Sequence, residues 1–447
     1  RKITIIGGGS YVFSLRITRD ILCFPALQDS TLCLYDIDEE RNNSNAAAIR
    51  RVIDMHGFPM SLEVTTDLRK AVQNTDFFIC GFQVGGLDAF EKDVEIPRKY
   101  GVDQCVGDTF GPGGIFRGLR SIEAIKPMAD AIRELSPDAL FMQYANPMAI
   151  NSTALSRLGV RNIGLCHSVQ GIGRLLAKNA GLPPDECSFL AAGLNHQCWV
   201  IEFKHNGKDA MHLARKGIFE NHLKRSSEGE ESTEEYAGGK ERVRAEIMQL
   251  TGYFHTEGSA HASEYLPYFR KDSRTVLEYQ PKRWDFFEIC RNRYDDRPGH
   301  IKDFIESCAP DKLEPSREYA ARIINAHVTG ELQLVHGSVM NHGSIANLPD
   351  DVAVEIPVTV DGHGLRPQQV GALPPACAAV NMTAVNQVQL AVEAALTNDR
   401  DLVHAAVAMD PLTGALLTLP QIHEMVDEML KAEQQWLPPM ESKTVVT

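Results

Sequence analysis

The first two hundred residues alternate short apolar runs with segments whose apolar residues recur at helical spacing. Five runs are apolar over most of their length and are predicted to be strands: 3–6, 31–38, 76–82, 139–147 and 162–168. Segment 120–135, between the third and fourth runs, has the spacing of a helix. Continuous apolar strands that alternate with helices are typical of a parallel sheet covered on both faces. The pattern therefore predicts an α/β fold for this part of the chain.

The pattern changes after about residue 195. Residues 198–211 predict a β-hairpin with Asn206 and Gly207 in its turn. Residues 224–242 are polar, charged and contain glycine, which indicates a mobile loop or lid. Long helical patterns and short strands are mixed in the remainder. We therefore expect two domains, 1–195 with the parallel sheet and 196–447 with an α+β fold.

Charge and composition narrow the classes of function. The chain has 447 residues, a formal net charge of −14 and 43% hydrophobic residues, which is ordinary for a globular protein. A net negative charge argues against nucleic acids and anionic membranes as partners. No apolar run reaches the roughly 20 residues needed to span a bilayer. The chain opens on a strand rather than a signal peptide, and its ten cysteines lack C-x-x-C pairs, so we expect a cytoplasmic protein with reduced thiols.

Three consecutive glycines, Gly7 to Gly9, follow the first predicted strand. Glycines there allow a tight turn and a close approach of the backbone to a pyrophosphate at a helix N-terminus. The last glycine of the G-x-G-x-x-G motif is replaced by Val12, so the motif alone is weak and is also compatible with an ordinary strand–helix turn. Asp36 ends the second strand, where a carboxylate suits the ribose diol of NAD and repels the extra phosphate of NADP. The pattern favours a Rossmann-like, NAD-binding domain whose candidate cofactor-binding residues are Gly7, Gly9, Ser10, Asp36 and Gln83.

Polar residues cluster where the predicted strands end. Ligands bind at the carboxyl ends of strands in open α/β sheets, so these side chains are candidates for one shared site. The segments 80–86, 107–118, 144–149, 164–169 and 191–199 contribute Asp108, Asn146, Cys166, His167, Asn195 and His196.

Five motifs in this order and spacing resemble glycoside hydrolase family 4, the NAD- and divalent-metal-dependent glycosidases. They are GGGS at 7–10, DTFGPGG at 108–114, NPMA at 146–149, CHSV at 166–169 and GLNH at 193–196. The CHSV tetrapeptide resembles that of the family's α-galactosidase branch. The resemblance implies a fold of the lactate/malate dehydrogenase type, with a cofactor-binding first domain and a second domain for substrate, metal and oligomerisation.

The resemblance also implies a chemistry that differs from that of ordinary two-carboxylate glycosidases. In this family NAD⁺ removes a hydride from C3 of the sugar, and a metal polarises the resulting ketone so that the C2 proton can leave. The anomeric group departs by elimination, water adds, and the hydride returns. The family's metal ligands fall on Cys166 and His196, and its metal is Mn²⁺ or another divalent cation.

Further roles follow from the resemblance. Asp108 is the candidate general acid, and Tyr265 is the candidate base, with Glu257 and Glu264 as alternatives. Asn146 corresponds to a ligand of a sugar hydroxyl. His167 could line the sugar pocket, orient the metal cluster or serve packing. Arg117 and Arg120 could contact substrate or pair at a helix surface.

Several functions stay open at this stage. The first is an α-galactosidase acting on a small sugar, and the family implies a homodimer or homotetramer. The second is an α-galacturonidase or another α-glycosidase of the family. The third is a net NAD-dependent 2-hydroxy acid dehydrogenase, which requires a His–Asp pair and a substrate-binding arginine, and against which the CHSV and GLNH motifs argue.

Overall fold

The structure is a computed structural model that describes residues 1–223, 241–280, 285–293 and 297–443. All of the predicted loop or lid except its last two residues, 241 and 242, lies outside the described residues. Among the described residues, no helix is long and apolar enough to cross a membrane.

The strands form one sheet across the described chain. Their bounds are β1 Lys2–Ile6, β2 Thr31–Tyr35, β3 Ser61–Thr65, β4 Phe77–Cys80, β5 Leu140–Gln143, β6 Asn162–Gly164, β7 Cys187–Leu194, β8 Gln197–His205, β9 Lys208–Asp209, β10 Phe254–His255, β11 Gln333–Met340, β12 Ala353–Asp361 and β13 Gly364–Pro367. The order along the sheet is β10-β8-β7-β12-β11-β6-β5-β4-β1-β2-β3, with β13 beside β12 and β9 beside β8. The six strands from β6 to β3 are parallel and have the Rossmann order, as predicted.

The helices cover both faces and fill the C-terminal part. Their bounds are α1 Phe13–Leu22, α2 Glu39–His56, α3 Leu68–Val72, α4 Gly86–Lys99, α5 Gly111–Leu135, α6 Met148–Arg157, α7 Ile172–Ala180, α8 Met211–His222, α9 Arg242–Thr251, α10 Ser259–Glu264, α11 Ser273–Tyr279, α12 Phe286–Arg293, α13 Arg297–Ser307, α14 Ala320–Thr329, α15 Pro375–Thr397, α16 Arg400–Ala408, α17 Pro411–Leu416 and α18 Leu419–Ala432.

The parallel sheet continues into antiparallel strands without a break. β11 pairs antiparallel with β6 and β12, and β12 pairs with β7, so the second part of the chain extends the first part's sheet. The predicted hairpin is present as β8 and β9, with Asn206 and Gly207 between them. The α/β fold is therefore confirmed, whereas the division at residue 195 stays a prediction, since it falls in the turn that joins β7 to β8.

Candidate active site

Three side chains from separate parts of the chain meet at one end of this sheet. Cys166 follows β6, and Glu257 follows β10. His196 lies in the two-residue turn between β7 and β8, with φ of 64°, a left-handed conformation that is uncommon for a residue other than glycine. The ligand atoms of Cys166, His196 and Glu257 all lie within 4.8 Å of one another. The first two were predicted as metal ligands, and Glu257 was predicted only as an alternative base.

The donor set of this cluster fits a divalent metal ion. Thiolate and imidazole together favour softer ions such as zinc, and the added carboxylate of Glu257 brings the oxygen donor that suits Mn²⁺. Three protein ligands leave coordination positions for substrate oxygens, as a catalytic metal site requires. The residues therefore fit the cation that the sequence motifs imply.

The ring of His196 is oriented by two hydroxyl groups. Its Nδ1 lies 3.0 Å from Thr109 Oγ1 and 3.1 Å from the Tyr265 hydroxyl. The Thr109 hydroxyl donates its hydrogen to Asp108 Oδ1 at 2.7 Å, so it can only accept from the imidazole. Nδ1 therefore carries the hydrogen of the neutral ring and the Nε2 lone pair points to the cluster, 3.6 Å from Glu257 Oε2.

Negative groups around His196 favour its protonated form when no cation is bound. Burial lowers the pKa of this imidazole, but Glu257, Cys166 and Asp108 together raise it to about 10. Since a ring that binds a metal must be neutral, a cation entering the cluster displaces this proton.

Asp108, the predicted acid, is a buried carboxylate that is surrounded by donors. Asn146 Nδ2 donates to its Oδ2 at 3.0 Å, and Thr109 donates to its Oδ1. Burial raises the pKa of this carboxyl. The positive charges of Arg117 and the nearby histidines outweigh burial, and the pKa lies below its usual value. Asp108 therefore starts as a carboxylate and must take up a proton before it can act as an acid.

Tyr265, the predicted base, is 2% exposed and packs edge-on against Phe110 at 5.0 Å between ring centroids. Burial, followed by the carboxylates of Glu264, Glu257 and Asp108, raises the pKa of its phenol well above the usual value. The hydroxyl contacts the same His196 nitrogen that Thr109 contacts. A cation held by the cluster would add positive charge beside the hydroxyl and would favour the phenolate.

Glu264, the other alternative base, is engaged by the backbone. Its carboxylate accepts hydrogen bonds from the backbone N–H groups of Cys105, Val106 and Gly107, at 2.8, 3.0 and 3.1 Å. These residues lead directly into Asp108. The arrangement gives Glu264 the task of holding the loop that carries the predicted acid.

The glycine turn is a tight connection between β1 and α1. The N–H groups of Gly7 and Gly8 both donate to the Tyr35 carbonyl, and that of Gly9 donates to Asp36 Oδ2 at 2.8 Å. Gly7 has φ of 89°, and a Cβ there would lie 2.3 Å from the Gly81 carbonyl oxygen, so no other residue fits. Ser10 closes the turn with a hydrogen bond from its N–H to the Gly7 carbonyl.

Gln83 and Asn146, from the ends of neighbouring strands, are joined by Arg117. Its Nε donates to the Asn146 carbonyl and one terminal nitrogen donates to Gln83 Oε1, both at 3.1 Å. The other terminal nitrogen is buried and has no partner among the described residues. Arg120 differs, since it is fully buried and ion-paired with Asp93 and Glu433. The structure thus gives Arg120 a structural role and leaves Arg117 with a free donor in the site.

His167 is the most exposed of the predicted site residues. Its Nε2 lies 2.7 Å from Glu318 Oε1, and its side chain is 58% exposed while that of Glu318 is 4% exposed. The imidazole thus stands at the rim, anchored to a buried carboxylate. Its predicted contact with sugar stays a prediction.

Sequence reasoning missed Thr109 and Glu318 as members of the site. Thr109 lies within the DTFGPGG motif, so its place beside Asp108 was a usable signal. Glu318 stands in a polar stretch without a motif and is brought to His167 only by the fold.

Comparisons with known proteins identify the family that the sequence motifs resemble. The model of family 4 glycosyl hydrolases matches residues 2–182, and the model of that family's C-terminal domain matches residues 191–413. The α-galactosidase of Rhizobium meliloti (strain 1021) is 36% identical over 98% of this chain and 89% of its own length. The α-galactosidase of Bacillus subtilis (strain 168) is 34% identical over 98% of this chain and 99% of its own.

Solved structures show the same fold. The Bacillus subtilis protein lplD has a TM-score of 0.83 and 26% identity, covering 96% of this chain and 99% of its own. Malate dehydrogenase from Plasmodium falciparum has a TM-score of 0.53 and 12% identity, covering 90% of this chain and 99% of its own, which agrees with the predicted dehydrogenase-type fold. Because the two family models together match most of its length, the chain belongs to glycoside hydrolase family 4.

Proposed function

We propose that this protein is an α-galactosidase that uses NAD⁺ and Mn²⁺. The observation that carries the proposal is the cluster of Cys166, His196 and Glu257 with both candidate proton-transfer groups linked to its imidazole. The two α-galactosidases at 36% and 34% identity support the choice of sugar.

Three groups of residues carry metal binding, cofactor binding and proton transfer in this proposal. Cys166, His196 and Glu257 hold the cation, which supplies Lewis-acid polarisation of the sugar oxygens when bound. The glycine turn and Asp36 hold the dinucleotide, which supplies a hydride acceptor when bound. Tyr265 removes the proton from C2 of the sugar, and Asp108, held by Asn146, delivers a proton to the departing oxygen.

One observation favours α-galacturonides as a second candidate substrate class. Arg117 has a buried donor without a partner among the described residues, and a guanidinium matches a carboxylate such as that of a uronic acid. An α-galacturonidase of Lachnoclostridium phytofermentans is 29% identical over 98% of this chain. The chain's higher identity to α-galactosidases places galactose first.

A panel of aryl α-galactosides and α-galacturonides, assayed with NAD⁺, Mn²⁺ and a thiol reductant, tests the proposal. We expect turnover of the galactoside, no accumulation of NADH, and deuterium from D₂O at C2 of the released sugar. Chelation or Cys166→Ser should abolish turnover, whereas Cys187→Ser, at a half-buried cysteine on β7, should not. Turnover without NAD⁺, or a product that lacks deuterium, would refute the mechanism, and steady NADH accumulation would favour a dehydrogenase.

A further inference from the structure

A buried carboxyl group, that of Glu355, lies next to the turn that contains His196, and the proposed mechanism gives it no role. Glu355, on β12, is 1% exposed, and it stands opposite Gly193 of β7 in the sheet. Its Oε2 accepts a hydrogen bond from Asn195 Nδ2 at 3.2 Å. The carboxyl thus reaches the end of the hairpin that β7 and β8 form.

Asn195 is the other residue of the two-residue turn, and it is fully buried. His196 depends on this turn, because its left-handed backbone conformation costs a non-glycine residue about 1–2 kcal/mol and must be held by its surroundings. The hydrogen bond to Glu355 is the side-chain contact that ties the turn to the neighbouring strand.

Glu355 is not part of an ion pair among the described residues. Within the described parts of the chain, no lysine or arginine lies within ion-pair distance of it, and its Oε1 has no hydrogen-bond partner. Its cross-strand neighbour on the other side is Ser338, whose hydroxyl is likewise buried and without a described partner. Burial raises the pKa of Glu355 to about 7, against the opposing effects of Asn195 and His196.

A buried carboxyl of this kind is costly for stability, since an apolar residue would pack there without desolvating a polar group. Its retention is accounted for if it serves the metal cluster. Groups that orient a metal ligand without touching the metal typically change metal affinity by about 10- to 100-fold when removed.

We propose that Glu355 is a positioning residue that fixes the imidazole of His196 for metal binding by anchoring Asn195. The inference rests on the proposed metal site. It concerns Glu355 and Asn195 alone, and it predicts that loss of this carboxyl weakens Mn²⁺ binding even in a variant that stays folded.

The test measures the affinity of the purified full-length protein for Mn²⁺ alone, by calorimetry and by the electron paramagnetic resonance of the bound ion. Glu355→Met has nearly the same length but no acceptor, and it should weaken Mn²⁺ binding about 10- to 100-fold and alter the resonance spectrum. Its melting temperature should fall by a few degrees, because Asn195 Nδ2 is left as a buried donor without an acceptor. Glu355→Gln keeps an acceptor for Asn195 and should bind Mn²⁺ within about threefold of the unchanged protein.

A double-mutant cycle decides whether Glu355 acts through Asn195. Asn195→Ala should weaken Mn²⁺ binding by itself, and adding Glu355→Met should weaken it no further. Asp410→Asn is the matched control. Asp410 is 2% exposed, and burial raises its pKa to about 6, but it holds Thr413 at the start of α17. That variant should lower the melting temperature and leave Mn²⁺ affinity unchanged.

The outcomes separate this inference from the proposed function. If the unchanged protein does not bind Mn²⁺, the proposed metal site is wrong. If it binds Mn²⁺ and Glu355→Met binds equally well, or if the two substitutions weaken binding additively, the role of Glu355 is refuted. Should Glu355→Met fail to fold, Glu355→Asp decides: it keeps the charge but is one methylene shorter and withdraws the acceptor from Asn195, so Mn²⁺ affinity equal to that of the unchanged protein would refute the role of Glu355.

Discussion

The replacement of Glu264 by glutamine tests whether this carboxylate holds the loop before Asp108 or acts as a base. One oxygen of Glu264 accepts from the N–H groups of Cys105 and Val106, and the other accepts from Gly107. Glutamine has one oxygen and one NH₂ group. At least one of the three buried N–H groups then faces another donor and has no acceptor.

The magnitude follows from these three contacts. A buried N–H group without an acceptor costs about 1–3 kcal/mol, and each remaining hydrogen bond loses about 1 kcal/mol when its acceptor is no longer charged. We therefore expect Glu264→Gln to lower the free energy of unfolding by about 3–5 kcal/mol. Asp108 follows the affected residues directly, so turnover should fall as well, through misplacement of the acid.

Thermal unfolding, turnover and deuterium incorporation at C2 are measured together on this variant. Loop anchoring predicts a melting temperature lowered by several degrees and slower turnover, with deuterium still incorporated in the product that forms. Glu91→Gln, at an exposed glutamate of α4, is the control and should change stability by less than about 0.5 kcal/mol. An unchanged melting temperature combined with lost C2 exchange would show instead that Glu264 is the base.

Four further predictions concern the cofactor turn and the metal cluster. Gly7→Ala should abolish NADH binding in a fluorescence titration. The control is Gly101→Ala, at φ of 95° with open space around it, which should lower the free energy of unfolding by about 1–2 kcal/mol and retain NADH binding. Equal NADH affinity in the two variants would contradict the steric argument. Thr109→Val should weaken Mn²⁺ binding about 10- to 100-fold by freeing the ring of His196, and Thr109→Ser should restore it. Burial lowers the pKa of His196, but its acidic neighbours raise it to about 10, so Mn²⁺ binding near neutral pH should release a proton and strengthen as pH rises toward that value. Glu257→Gln should weaken Mn²⁺ binding on the order of tenfold or more and reduce the number of protons released. Calorimetry in two buffers of different ionisation enthalpy measures that number, and an unchanged number would contradict the prediction.

The parallel part of the sheet was predictable because its central strands are buried on both faces. β1, β4 and β5 read as continuous apolar runs for this reason. β3 was missed because it lies at the sheet edge and is partly exposed, so its apolar residues alternate with polar ones. The second strand was predicted too long, since the chain leaves the sheet after Tyr35 and Asp36 turns to accept from Gly9.

The roles of two carboxylates, Glu257 and Glu264, could not be distinguished from the sequence. Glu257 and Glu264 lie seven positions apart and were interchangeable as candidate bases. The two residues differ in their contacts. Glu257 lies beside the imidazole and thiol of the cluster, whereas Glu264 accepts hydrogen bonds from three backbone N–H groups of a loop far away in the sequence. Residue type fixes what a side chain can bind, but only the fold determines which donors reach it.

The imidazole of His196 links the two halves of the proposed chemistry. Its Nδ1 contacts Thr109, which holds Asp108, and also contacts the Tyr265 hydroxyl, while its Nε2 faces the cluster. A cation held by the cluster would require the neutral form of His196 and would supply positive charge near both the carboxylate and the phenol. Metal occupancy therefore sets the charge environment of the predicted acid and the predicted base at once. Exchanging Mn²⁺ for a cation of different acidity should accordingly shift the acidic and basic limbs of the pH–rate profile together, and a shift of one limb alone would show that the two groups are not coupled through this ring.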